Sequence, residues 1–95
     1  MNVDEIKNGD IIAYETDELL WLIIFHSPYE PYEGCLHYHA LLTQDNELFI
    51  CGTCFVLDYD QIRCATDEEK QDLFKAIEKE GYEWDSENKK IIKKV

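Results

Sequence analysis

The apolar positions of this chain change period once: through the first two thirds they come in short runs or alternate, and after residue 66 they adopt helical spacing before alternating again. Asp10-Ile11-Ile12-Ala13-Tyr14-Glu15 follows the turn signal Asn8-Gly9 and is bounded by Thr16-Asp17-Glu18, which predicts a short strand. Leu19 to His26 is apolar on both faces and predicts a second strand near the centre of a sheet. Ser27-Pro28-Tyr29-Glu30-Pro31-Tyr32-Glu33-Gly34 then stops the ladder, because two prolines and a glycine sustain neither strand nor helix. A loop is expected there. Cys35 to Leu42 alternates, with Cys35, His37 and His39 expected on one face and Leu36, Tyr38 and Ala40 on the other. Beyond a turn at Gln44-Asp45-Asn46, Glu47 to Cys51 and Cys54 to Leu57 predict two further strands on either side of Gly52-Thr53.

Thr66-Asp67-Glu68-Glu69 has the form of a capping box, with acids at the positive end of the helix that follows. Leu73, Phe74 and Ile77 give that helix an apolar stripe with Ala76 beside it, and Gly81 is placed to close it in the left-handed conformation. Tyr82 to Asp85 and Lys89 to Val95, joined by Ser86-Glu87-Asn88, predict a terminal hairpin. The order implies an α+β fold: a small antiparallel sheet or SH3-like barrel of about five strands, followed by one helix and a C-terminal hairpin. With 95 residues and no linker, one domain is expected, an acidic β portion over 1–64 and helix plus hairpin over 65–95.

Charge sharpens this picture. Residues 1–62 hold twelve acids and a single base, Lys7, whereas eight bases and nine acids follow from Arg63 onward. Such a segment repels nucleic acid and anionic membrane and attracts a basic protein surface, so direct nucleic-acid binding is not expected. Apolar residues make up 45% of the chain, enough for a core despite a net charge of −12. The longest apolar run, Leu19 to Phe25, is far short of a membrane span. Met1 to Lys7 has neither a basic nor an apolar targeting stretch, so a cytoplasmic location is expected, with Cys35, Cys51, Cys54 and Cys64 as free thiols.

The candidate chemistry is sparse. Cys51-Gly52-Thr53-Cys54 has C-x-x-C spacing, and with Cys35 and His37 it offers four soft donors as an alternative structural zinc set. The apolar strand sequence around these residues favours cysteine as a small hydrophobe instead, so no metal or cofactor is expected. A redox motif would open a helix, and this one runs into Phe55-Val56-Leu57. No nucleophile and base pair is legible around His26, His37 or His39, and the glycines are too scattered for a phosphate loop. A binding protein rather than an enzyme is expected. Its candidate contact residues are Tyr29, Glu30, Tyr32 and Glu33 in the Pro-Tyr-Glu loop, where rings and carboxylates suit an arginine-bearing partner, and the turn acids Asp17, Glu18, Asp58 and Asp60.

Ala65 to Ile77 followed by Gly81-Tyr82-Glu83-Trp84-Asp85-Ser86-Glu87-Asn88-Lys89-Lys90 resembles a C-terminal module of small proteins from phages and mobile elements of Bacteroidetes. The likeness covers about a third of the chain. It implies an anti-defence factor of the anti-CRISPR class, whose partner would be a basic RNA-guided nuclease such as the type VI-B RNase or its guide RNA complex.

Overall fold

Five strands form one antiparallel sheet in the computed structural model, which describes residues 3–29, 32–56 and 59–94. They are β1 (Ile11–Glu15), β2 (Leu20–Pro28), β3 (Cys35–Thr43), β4 (Leu48–Phe55) and β5 (Ile62–Cys64), in the spatial order β4-β3-β2-β1-β5. Helix α1 (Asp67–Lys79) follows, and β6 (Tyr82–Asp85) with β7 (Lys90–Lys93) makes the terminal hairpin. The α+β architecture is as expected. The sheet is open, since β4 and β5 are its two edges.

Two strand expectations need correction. The segments on either side of Gly52-Thr53 are one strand, β4, and the fifth strand is the three-residue Ile62–Cys64. Gly52 does not break β4 because it fills a packing role: a Cβ there would lie 2.6 Å from the Tyr38 hydroxyl. β2 also runs further than expected, to Pro28, which sits at the strand end opposite Leu36. Proline is tolerated at such a terminus.

Burial on both faces explains the long apolar runs of β2 and β3. On one face Ile12, Tyr14, Ile23, Phe25, Leu36, Tyr38, Leu41 and Ile62 form a core that Ile6 and Val56 complete from outside the strands. On the other, Leu73 and Ile77 of α1 pack with Ala13, Leu22, Ile24, Ala40 and Leu42. The two alanines leave room for the helix to approach. Tyr82, Trp84 and Ile91 extend that layer from the hairpin.

The helix begins as its sequence dictates. Thr66 Oγ1 accepts from the Glu69 amide at 3.1 Å, and Glu69 Oε1 accepts from the Thr66 amide at 2.8 Å. Gly81, at φ +86°, turns the chain out of the helix. Gly34 is the more constrained glycine: at φ +80° its carbonyl accepts from the Val56 amide at 2.7 Å, and a Cβ would meet the Val56 carbonyl oxygen at 3.0 Å. Gly34→Ala is therefore expected to cost about 1–2 kcal/mol through the left-handed backbone alone. Urea unfolding checks this, and an unchanged midpoint would show that the turn relaxes freely.

Candidate functional site

Among the described residues β4 pairs on one side only, with β3, and its sequence Leu48 to Phe55 contains no charged residue and no proline. Alternate positions are open to solvent along its length, Phe49, Cys51, Thr53 and Phe55 being exposed. Phe49 and Phe55 retain 46% and 58% of their exposure, and Tyr32, at 59%, stands beside Phe55 with the ring centres 6.4 Å apart. These three are the exposed large hydrophobic side chains among the described residues. They all lie on or next to one strand edge. Such an edge offers unpaired backbone groups to another chain, and proteins ordinarily blunt it with charge, proline or a bulge. Here the blunting is confined to the middle, where Cys51 adopts φ +53°.

Carboxylates flank the strand. Asp45 and Glu47 precede it in the β3-β4 turn, and the neighbouring β1-β2 turn adds Asp17 and Glu18, tied in by Gln44, whose side chain accepts from the Leu20 amide and donates to the Glu18 carbonyl. Glu33 stands beside Phe55 and Val56 at the far end. Asp60 sits on a 3-10 turn, Tyr59–Gln61, between β4 and β5. Of the residues expected to form a contact surface, then, Asp17 and Glu18 lie at one end of the sheet and Tyr29, Tyr32 and Glu33 at the other, nine residues of β3 apart. Glu30 and Asp58 lie outside the described residues. The expected residues do not converge on one spot; β4, which pattern reading divided in two, is what connects them.

A second cluster comes from an irregularity that crosses the sheet. Pairing of β2 with β3 shifts between Ile24 and Phe25 and again between Phe25 and Ser27, so that His26 and His39 are the unpaired residues of facing strands. The shift breaks the expected alternation of β3: Tyr38 belongs to one core, whereas Ala40 joins the helix-facing one with Leu42. It also brings all three histidines together, His26 lying 4.7 Å from His39 and 5.9 Å from His37 between ring centres. The row continues at both ends. His39 meets Trp84 at 4.9 Å, and His37 meets Tyr29, which stacks on Tyr32 at 5.7 Å and 16°. Tyr29 is thus drawn onto the sheet, and Tyr32 is the loop ring left open.

His39 is buried, and its Nε2 lies 2.7 Å from Asn8 Oδ1, which as an acceptor places the ring proton on that nitrogen. Burial, and then the neighbouring His26, hold its pKa below the ordinary imidazole value. The cysteines form no metal shell. Cys35 is buried, Cys51 exposed, and the Cys54 thiol is pushed up to about 12 by burial and then by Cys35. Among the described residues no three of His, Cys, Asp and Glu are placed to share an ion, so the alternative set Cys35, His37, Cys51 and Cys54 is not brought together. Nor is any helix among them long and apolar enough to cross a membrane. Compared with known proteins, the chain matches no protein-family model, no curated protein and no solved structure.

Proposed function

We propose that this chain is a non-enzymatic binding protein that captures a basic protein partner along its β4 edge. The observation that carries the reading is the uncharged, one-sided strand with Phe49, Phe55 and Tyr32 exposed along it and carboxylates at both ends. An extended partner segment added there gains main-chain hydrogen bonds from the edge and apolar contacts from the three rings. Lysines or arginines flanking that segment meet Glu33 at one end and Asp45, Glu47, Asp17 and Glu18 at the other. The net charge of −12 opposes pairing of two copies through the same edge.

The resemblance of the C-terminal helix and hairpin directs the reading to a partner class: an RNA-guided nuclease of the type VI-B kind, whose basic guide and target channel suits an acidic inhibitor. Binding to such a purified effector is expected to be lost in the Phe49→Glu, Phe55→Glu double variant, which touches only exposed positions. It should also weaken steeply as salt shortens the screening length from about 10 Å at 0.1 M to about 3 Å at 1 M. Undiminished binding by the double variant would remove the strand edge from the mechanism, and binding insensitive to salt would remove the acids.

A further inference from the structure

The row of histidines opens onto a groove of about 740 Å³ between the bulged part of the sheet and the hairpin turn. His26, His37 and His39 line it from β2 and β3, and Lys89 and Lys90 from the hairpin. What is missing from the lining matters as much. The chain has 21 acids, yet among the described residues no carboxylate lines this groove, whereas the groove at the end of α1 carries Asp72 and Glu80 and the one between helix and hairpin carries Glu78 and Glu83. In a protein this acidic, a concavity that gathers every histidine and two lysines is a local reversal of sign.

We propose that this groove binds a phosphate group, free or as the monoester of a small molecule. Neither Lys89 nor Lys90 forms an ion pair among the described residues, and the ring of His37 makes no hydrogen bond among them. Those three are free to donate. His26 and His39 each have one ring nitrogen engaged, with Ser27 Oγ at 2.8 Å and Asn8 Oδ1, which fixes both rings and leaves the other nitrogen of each unengaged. Asp85 stands opposite Lys90 in the hairpin ladder and feels its charge, but its carboxylate is engaged by the backbone amides of Glu87 and Asn88 and by the Asn88 side chain. The remaining titratable groups at the groove are the Cys51 thiol and Tyr38, whose pKa burial raises above the ordinary phenol value. Donors arriving from two strands and a facing turn suit a tetrahedral oxyanion better than a planar carboxylate, whose two oxygens lie in one plane.

The free ion and a nucleotide monoester share the phosphate chemistry, so they are separate arms of one experiment. Inorganic phosphate, adenosine monophosphate and acetate are each titrated into the full chain near pH 6.5, the midpoint of an ordinary imidazole, with backbone amide and histidine ring NMR signals as the readout. Saturable shifts confined to His26, His37, His39, Lys89 and Lys90 are expected with phosphate and absent with acetate. Tighter binding of the nucleotide identifies the monoester as the ligand, and equal binding identifies the phosphate alone. The Lys89→Ala, Lys90→Ala double variant and His37→Gln, at exposed and half-buried sites, are each expected to weaken binding about tenfold through lost hydrogen-bond donors. Shifts that fail to saturate, that acetate reproduces, or that both variants leave unchanged would overturn the proposal, as would zinc taken up by the same histidines in competition with phosphate. Because β4 side chains are unaltered throughout, this result and that of the strand-edge experiment stand apart.

Discussion

Replacing Ile77 by alanine is expected to lower the stability of the domain by about 2–5 kcal/mol, the range for removing a large aliphatic side chain from a fixed core. Ile77 is 1% exposed and Leu73 is fully buried, and α1 buries no other residue completely. The helix is thus held to the sheet chiefly by two side chains, which pack with Ala13, Leu22, Ile24, Ala40 and Leu42. Collapse around a lost isoleucine is limited, because Leu22, Ile24 and Leu42 opposite it are held in place by a hydrogen-bonded sheet. For a domain of this size each kcal/mol lowers the melting temperature by roughly 4–8 °C, so the expected shift is at least about 8 °C. Phe74→Ala on the same helix, only half buried, should cost clearly less. A melting temperature that falls by only a degree or two in Ile77→Ala would mean that the helix does not dock through this residue.

This two-residue anchor was legible in the sequence, and the reason is local. Helical spacing of Leu73, Phe74 and Ile77, a capping box at Thr66 and a glycine at 81 are all short-range signals that tertiary packing had no cause to override. The β portion was legible less evenly. The strand over Leu48–Phe55 was divided in two because Gly52 reads locally as a breaker, while its real constraint, the Tyr38 hydroxyl, comes from a residue on another strand. Ile62–Cys64 is too short to show a period, and it is a strand because β1 offers it an edge. The bulges at His26 and His39 were invisible for the same reason: a bulge is a relation between two strands, and strict alternation along β3 hides it. The histidine cluster depends on that relation, so spacing alone placed His26 apart from the other two. The loop tyrosines were recognised as contact residues, but their division into one ring folded on His37 and one left open is settled by packing. No short-range signal exists for that.

The second large effect is expected at Glu69, where one carboxylate serves two structures. It accepts from the Thr66 amide as half of the capping box, and it receives both Nη1 and Nη2 of Arg63 at 2.7 and 2.9 Å. Arg63, the chain's single arginine, also reaches Glu15 at 3.1 Å, so β1, β5 and the start of α1 meet at this point. Glu69 is 16% exposed at its side chain against 53% for Glu15, and the less solvated pair is the stronger of the two. Its removal in Glu69→Ala leaves the Thr66 amide and two guanidinium donors without their acceptor, at an expected cost of about 1–3 kcal/mol. Glu15→Ala should cost well under half of that. The pH dependence distinguishes charge from shape. Hydrogen bonds from Arg63 in the first place, with those from Thr66, hold the Glu69 pKa at about 2, below the 4.5 of an unperturbed glutamate. A carboxylate with a depressed folded-state pKa stabilises fully above its unfolded value, and that contribution is lost as pH falls from about 4.5 toward 2. Urea midpoints measured at pH 7 and across that acid window should therefore converge for wild type and Glu69→Gln as pH falls, the wild type losing the advantage it holds at neutrality. Parallel curves, separated by the same amount at every pH, would mean that the Arg63 to Glu69 contact contributes by packing and not by charge.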